Sequence, residues 1–217
     1  MFLESVEPHF SMFTLNGFPS FAASEQIEAD LLAEAEVVDI DLAALGSPRS
    51  ARVSPTTFHL ALADGRPLGA AASTVGPLAE LPLGLALREA GVDVAAEIDL
   101  PDDACELVSL SIDPDAHQDT SGVTEALYRS FYRHAVARRA RSLVVGVDPW
   151  ILDVLTEQYG IPFTALGPPI DLLGRELLAI GGELAILEEG VRRTAPDFFT
   201  YLSQPADDRA PVAVAPA

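Results

Sequence analysis

The stretch CELVSLSIDPDAHQDTSGVTEALYRSFYRHAVARRARSLVVGVDPW, from Cys105 to Trp150, decides the fold of this chain. Its first part, Cys105–Ile112, is short and apolar and predicts a β-strand, and Ser142–Val147 is a continuous apolar run of strand length. Between them, Val123–Ala140 places apolar residues at helical spacing. This order of elements predicts a right-handed β-loop-α-β unit with parallel strands.

The loop before the predicted helix is built from cap and turn formers, Asp119, Thr120, Ser121 and Gly122. A glycine-containing loop that opens a helix directs backbone N–H groups outward. Such a place suits a phosphate or pyrophosphate group. Many parallel α/β proteins contain such a unit, so the spacing alone does not define a function.

The rest of the chain alternates between strand and helix patterns. The runs Thr57–Ala63 and Leu68–Thr74 flank Asp64-Gly65 and predict a hairpin. Asp148-Pro149 predicts the start of a helix that reaches Gln158 and stops at Gly160. Further helices are predicted over Ser24–Glu36, Pro82–Ala90, Gly182–Arg193 and Thr194–Leu202, and further strands over Phe163–Leu166, Ile170–Leu173 and Arg175–Ala179.

We expect one domain over residues 1–203, with an irregular N-terminal segment over 1–22 and a disordered tail over 204–217. The chain has 217 residues, which is within the range of a single domain. The tail is polar and then rich in small residues and proline, a composition that does not build a core.

Composition limits the compartment and the partners. The net charge is −20 and all 13 basic residues are arginine, so nucleic acid is an unfavourable partner. No apolar run is long enough to predict a membrane span, and the N-terminus does not read as a signal peptide, so we expect a cytoplasmic protein.

Cys105 is the single cysteine and is expected to be a buried, inert thiol. The four histidines lack metal-ligand spacing, and His59, in a strand, is expected to be a packing residue with satisfied hydrogen bonds.

Arginines crowd the end of the predicted central helix. Two readings are open: a solvated surface whose arginines balance nearby acids, or a docking site for phosphates or for an acidic carrier protein. The residues concerned are Arg129, Arg133, Arg138, Arg139 and Arg141.

Three tracts resemble known enzymes. Glu106–Ile112 (ELVSLSI) is similar to a strand pattern E-x-S-R-x-x-V, Tyr159–Glu176 resembles a tract with a glycine, an aromatic and L-G-P, and Leu78–Gly91 lies where a "GLP" helix is found. Together they resemble the GNAT acyltransferases, and more narrowly the N-acyl amino acid synthases and acyl-homoserine-lactone synthases. The resemblance covers Phe58 to Leu202 and implies an α/β (α+β) fold with a mixed twisted sheet flanked by helices.

The resemblance also implies site residues. The first strand of the central unit would splay from its neighbour, and Leu110, Ser111 and Ile112 would lie along a pantetheine arm. Phosphates of coenzyme A or of a carrier protein would be held by the following loop, at Gln118, Ser121, Gly122 and Val123.

The chain departs from the family pattern at three places. The loop, HQDTSGVTEA, has only Gly122 where the family has Q/R-x-x-G-x-G/A. Ser109 stands where the synthases have arginine, and Thr156 stands where many GNAT enzymes have a tyrosine that acts as general acid.

Glu106 is the candidate general base. It is an acid in an otherwise apolar strand, so burial is expected to raise its pKa toward a useful range. The alternative is a structural carboxylate that accepts hydrogen bonds from a loop.

The leading hypothesis is an N-acyltransferase without a metal, a monomer or a homodimer. It would move an acyl group from acyl-CoA or an acyl carrier protein to a small amine, such as an amino acid or a biosynthetic intermediate. The alternatives are a degenerate GNAT-like protein that binds a ligand or partner, or the same scaffold with other chemistry. Acyl transfer predicts a cleft between Glu106–Ile112 and Ser142–Val147.

Overall fold

The computed structural model describes residues 10–16, 56–63, 66–113, 121–172 and 175–204. Several predictions lie outside these residues: the helix over Ser24–Glu36, the turn Asp64-Gly65, the loop position Gln118, and the tail after residue 204.

The elements follow the predicted alternation. The helices are α1 (Pro82–Glu89), α2 (Val94–Glu97), α3 (Ser121–Ala137), α4 (Pro149–Gln158), α5 (Leu184–Thr194) and α6 (Pro196–Ser203). The strands are β1 (Ser11–Asn16), β2 (Thr57–Ala63), β3 (Arg66–Pro77), β4 (Asp103–Ile112), β5 (Ser142–Val147), β6 (Thr164–Ala165), β7 (Ile170–Leu172) and β8 (Arg175–Glu183).

The strands form one mixed sheet in the order β1-β2-β3-β4-β5-β8-β6, and β7 pairs with the beginning of β8. All pairs are antiparallel except β4 and β5, which are parallel and are connected through α3. The predicted β-loop-α-β unit is therefore confirmed, with β5 at the predicted bounds. One prediction was wrong: Ser11–Asn16, inside the segment expected to be irregular, pairs with β2 as the edge strand.

The core has one layer on each face of the sheet. Side chains of α3, such as Val123 and Leu127, pack with Cys105 and Leu107 of β4 on one face. On the other face, α1 and the short 3-10 turn at Leu78–Glu80 pack against β4, β5 and β8. As expected, Cys105 is a buried free thiol, whose pKa is raised to about 12 by burial and by the neighbouring Glu106.

A buried polar network fixes α3 against β2 and β3. His59 Nε2 and His134 Nδ1 each lie 2.8 Å from Ser73 Oγ, and His59 Nδ1 lies 2.7 Å from Ser130 Oγ. Burial, together with nearby His134, lowers the pKa of His59 to about 3, so both ring nitrogens serve as neutral hydrogen-bonding groups. His59 is thus a satisfied packing residue, as predicted.

Candidate active site

The parallel strands β4 and β5 separate halfway along their length. Their pairing ends at Leu107 and Val145. Beyond this point, Ser109–Ile112 pair with β3 and Gly146–Val147 pair with β8, and the described residues contain no other partner strand for either segment. The backbone groups of Val108–Ile112 that point toward β5 are therefore not used by the sheet, and such an edge can bind an extended ligand.

A β-bulge marks the place where the strands part. Ser73 of β3 is opposite Leu107, and the next residue, Ala72, is opposite Ser109, so Val108 is the extra residue. A bulge bends its strand and increases the local twist. It therefore turns Val108–Ile112, the upper half of β4, away from β5 and opens the sheet.

A cavity of about 350 Å³ occupies this opening. Its walls are the upper half of β4, the end of β5 and the faces of α3, α4, α5 and α6 that point to the sheet, and most of its lining is apolar. The volume is within the range of small-molecule sites. The predicted cleft between the two strands is confirmed by this geometry.

The polar groups of the cavity are concentrated at two places. Ser109, Ser111 and Asp148 lie where the strands end, and Tyr132 with Glu188 lies deeper, between α3 and α5. Ser109 Oγ is buried and has no hydrogen-bond partner in the part of the chain that the structure describes. A buried hydroxyl of this kind can accept or donate a hydrogen bond to a ligand.

Glu106 is 4% exposed and lies in the middle of β4. Both carboxylate oxygens accept a hydrogen bond from the Leu83 N–H at 3.1 Å, at the beginning of α1. Burial raises the pKa of Glu106 to about 8, although the Leu83 N–H opposes this shift. The predicted upward shift is confirmed, and a group with this pKa titrates near neutral pH.

The Glu106 side chain does not line the cavity. It follows Cys105 and precedes Leu107, whose side chains both pack on the α3 face, so it points to the α1 face. The carboxylate therefore lies beside the point where the strands part, behind the wall that β4 forms.

Only some of the predicted cofactor-binding residues lie at the cavity. Leu110 and Ser111 line the cavity, whereas Ile112 packs against the core. Gly122 and Val123 are in the first turn of α3, with Gly122 exposed and the Val123 side chain fully buried. Ser121 begins the helix, and Gln118 lies outside the described residues.

The five arginines of the predicted cluster lie at two separate places. Arg129 and Arg133 donate hydrogen bonds to the Gln204 carbonyl, and the Arg129 guanidinium lies 4.9 Å from the centre of the Tyr201 ring. These two arginines hold α6 against α3. Arg138, Arg139 and Arg141 are exposed, but they precede β5, whereas the cavity opens where β5 ends.

Sequence reasoning missed the floor of the cavity. Tyr128 and Tyr132 of α3 line it together with Glu188 of α5, and none of the three was a candidate site residue. The signal was present in the sequence, because Glu188 stands four residues after Leu184 and next to Leu187, inside the apolar stripe of α5. A carboxylate at such a position requires a partner, and Tyr132 is that partner.

Within the residues that the structure describes, no group of three or more His, Cys, Asp or Glu side chains is arranged to hold a metal ion. Among those residues, no helix has the length and hydropathy that a membrane span requires.

The described strands form a mixed sheet whose one parallel pair splays beside a bulge, with a helix that follows the first strand of the pair. No protein-family model matches the sequence, and no curated protein matches it significantly. Solved structures do match it, at low sequence identity, so the likeness concerns the fold.

Three of these structures are similar over most of the chain. FeeM, an N-acyl amino acid synthase from uncultured soil microbes, has a TM-score of 0.60 at 14% identity, over 84% of this chain and 95% of its own. The AHL synthase LasI has a TM-score of 0.53 at 17% identity, over 83% and 96%. The ribosomal-protein-S18-alanine N-acetyltransferase from Escherichia coli has a TM-score of 0.51 at 11% identity, over 80% and 94%. The GNAT fold that the sequence resemblance implied is therefore confirmed.

Proposed function

We propose that this protein is an N-acyltransferase that moves an acyl group from a pantetheine thioester to a small amine. The observation that carries the proposal is the opening between β4 and β5, where an unpaired strand edge lies beside an apolar cavity. The strand edge would bind the amide groups of a pantetheine arm, and the cavity would hold the acyl chain. FeeM, LasI and the E. coli N-acetyltransferase share this fold, which supports the assignment.

In the proposed reaction, the amine nitrogen attacks the thioester carbonyl at the point where the strands part. Unpaired N–H groups of the upper half of β4 would stabilise the negative charge on the carbonyl oxygen. The carbon–nitrogen bond forms, the carbon–sulfur bond breaks, and the thiolate takes up a proton. Thr156 offers no phenol for that last step, so the general acid is not the tyrosine of the family pattern.

Glu106 would accept a proton from the bound ammonium, which leaves the neutral amine that attacks the carbonyl. Its pKa of about 8 suits a base that works near neutral pH. Because its carboxylate lies behind the cavity wall, the proton would reach it through an intervening water molecule.

The donor would place its phosphates at the beginning of α3. The first N–H groups of a 17-residue helix favour an anion, and Gln118, Ser121, Gly122 and Val123 are the residues that would supply contacts there. Carrier-protein docking through the exposed Arg138, Arg139 and Arg141 has weaker support, because these residues lie at the opposite end of β5 from the opening. Acyl-CoA and acyl carrier protein therefore both stand as donors, and an amino acid, as in the name of FeeM, is the first acceptor to test.

The test is a product assay. The protein is incubated with acyl-CoA of several lengths and a panel of amino acids and simple amines, and amide products are detected by mass spectrometry. Released thiol can be followed with a thiol reagent, since Cys105 is buried and its high pKa keeps it unreactive. Amide formation that depends on Glu106 supports the proposal.

A ligand-binding protein without transferase activity is the second candidate. It is favoured by one observation, the engagement of both Glu106 oxygens by the Leu83 N–H outside the cavity lining. The second function would be favoured if the protein binds acyl-CoA tightly but forms no amide product with any acceptor. This result should hold with acyl-CoA and with acyl carrier protein as the donor.

A further inference from the structure

A hydrogen-bonded pair lies at the end of the cavity that is remote from the opening between β4 and β5. The Tyr132 hydroxyl donates to Glu188 Oε1 at 2.7 Å and so links α3 to α5. Both side chains line the cavity, and the side chains of α5 next to them, Leu184, Leu187 and Val191, are apolar. The pair is thus a polar group among apolar side chains at this end of the cavity.

The topology places this pair far from the opening. Helix α3 begins near the end of β4 and runs back along it, so Tyr132 lies about 16 Å along the helix from Ser121, at 1.5 Å per residue. Helix α5 follows Glu183, which is opposite Ser142 at the beginning of β5. Glu188, in the second turn, therefore lies toward that end of the sheet, and the strands part at the other end.

The chemistry of the pair opposes contact with hydrocarbon. Covering a carboxylate with an alkyl chain removes its water without supplying a hydrogen bond, which is unfavourable. Burial and the hydrogen bond with Glu188 raise the pKa of Tyr132, so its hydroxyl remains protonated and keeps the bond at physiological pH. The pair is therefore a polar end wall, which an alkyl chain should not cover.

We propose that the Tyr132–Glu188 pair sets the longest acyl chain that the cavity accepts. This inference rests on the proposed function, because it assumes that the cavity holds an acyl group. The chain should thus extend along the apolar side chains of the cavity and stop at the pair, which predicts a break in affinity at a fixed chain length.

The experiment measures binding of acyl-pantetheines of 4 to 16 carbons to the full chain by calorimetry. Pantetheine is the part that acyl-CoA and acyl carrier protein share, so the choice of donor does not affect the result. For wild type we expect affinity to rise by about fourfold with each buried methylene, up to the limit, and then to level off or fall. The chain length at which affinity stops rising is the break. In Tyr132→Ala and in Glu188→Ala, which open the end wall, this break should lie at chains that are longer by about two carbons or more.

Glu189→Ala is the matched control. Glu189 is the next residue of α5, is exposed, and pairs with Arg192 on the surface. Its variant should keep the wild-type break. If wild type and both test variants break at the same length, the pair does not limit the chain and this inference is wrong while the proposed function stands. If wild type binds no acyl-pantetheine of any length, the proposed function fails, and this inference fails with it.

Discussion

The two halves of β4 differ in what surrounds them. The half before the bulge, Asp103–Leu107, pairs with β3 along its length and with β5 from Ala104 on, and carries the fully buried Cys105. In the other half, Val108–Ile112, residues Ser109–Ile112 pair with β3 and with no other described strand, and Val108–Ser111 line a cavity. One continuous strand thus contributes to the core with one half and to a site with the other.

This difference shows how a sheet protein can obtain a site without interrupting its core. The extra residue Val108 alters the direction of the strand and costs the sheet only part of one parallel ladder. The paired half anchors the strand, so the unpaired half stays in place while its backbone remains available to a ligand. Substitutions of apolar side chains in the two halves should therefore have different effects: those in the first half should mainly lower stability, and those in the second should mainly weaken ligand binding.

The largest difference is expected from alanine substitutions on either side of the bulge. Leu107 is 8% exposed and belongs to the core, so Leu107→Ala should lower the free energy of unfolding by about 2–5 kcal/mol. Leu110 is only partly buried beside the cavity, so Leu110→Ala should cost clearly less but weaken acyl-CoA binding. Urea unfolding gives the loss of stability for each of the two variants. Equal losses of stability would show that the two halves are packed alike.

Substitution of Glu106 tests the link between the paired half and turnover. Glu106→Gln keeps the size of the side chain but removes its ability to take a proton, so turnover should fall by about 10²-fold or more. Asp103→Asn, at the exposed start of the same strand, is the control and should leave turnover unchanged. Wild-type turnover in Glu106→Gln would remove this residue from the mechanism.

The pH dependence of stability provides a third test on Glu106. Its pKa is raised from 4.5 to about 8, so between these values the folded state binds more protons than the unfolded state. The free energy of unfolding should therefore decrease as the pH rises through that window. Glu106→Gln should lose this component, which a series of urea titrations between pH 5 and 8 would detect. Parallel curves for the two proteins would mean that the carboxyl has an ordinary pKa in the folded state.

The smallest effect is expected at Thr74, opposite Glu106 on β3. Thr74 Oγ1 is buried without a hydrogen-bond partner among the described residues, so the isosteric Thr74→Val should be neutral or stabilising by up to about 1 kcal/mol. Thr57→Val is the contrast, because Thr57 Oγ1 lies 3.2 Å from His134 Nε2, and its loss should destabilise by about 1 kcal/mol. A marked loss of stability in Thr74→Val would indicate that this hydroxyl is satisfied.

The sequence predicted the elements whose patterns are local. β5 was predicted with its bounds, since Ser142–Val147 is one uninterrupted apolar run, and α4 was predicted from Pro149 to its stop at Gly160, where φ is +65°. The raised pKa of Glu106 followed from one acid among apolar neighbours. In each case the information lies within about ten residues of the feature.

Features that depend on distant pairing were missed. The edge strand Ser11–Asn16 has no strong pattern of its own, and its pairing with β2 stabilises it. The bulge at Val108 is defined only by its register with β3. The Tyr132–Glu188 pair joins residues 56 positions apart, so the carboxylate in the apolar stripe of α5 indicated that a partner is needed but not which residue it is.

The central claim is that the opening between β4 and β5 binds an acyl thioester, and thermal unfolding with a series of acyl-CoA ligands tests it most directly. Free CoA and acetyl-, octanoyl- and palmitoyl-CoA are compared on the same protein. A ligand at about 100 times its Kd stabilises by about 2.7 kcal/mol, which is several degrees for a domain of this size. We expect the midpoint to rise from acetyl- to octanoyl-CoA, with no further gain for palmitoyl-CoA. A midpoint that none of the four ligands moves, and that acyl-pantetheines also leave unchanged, would contradict the claim.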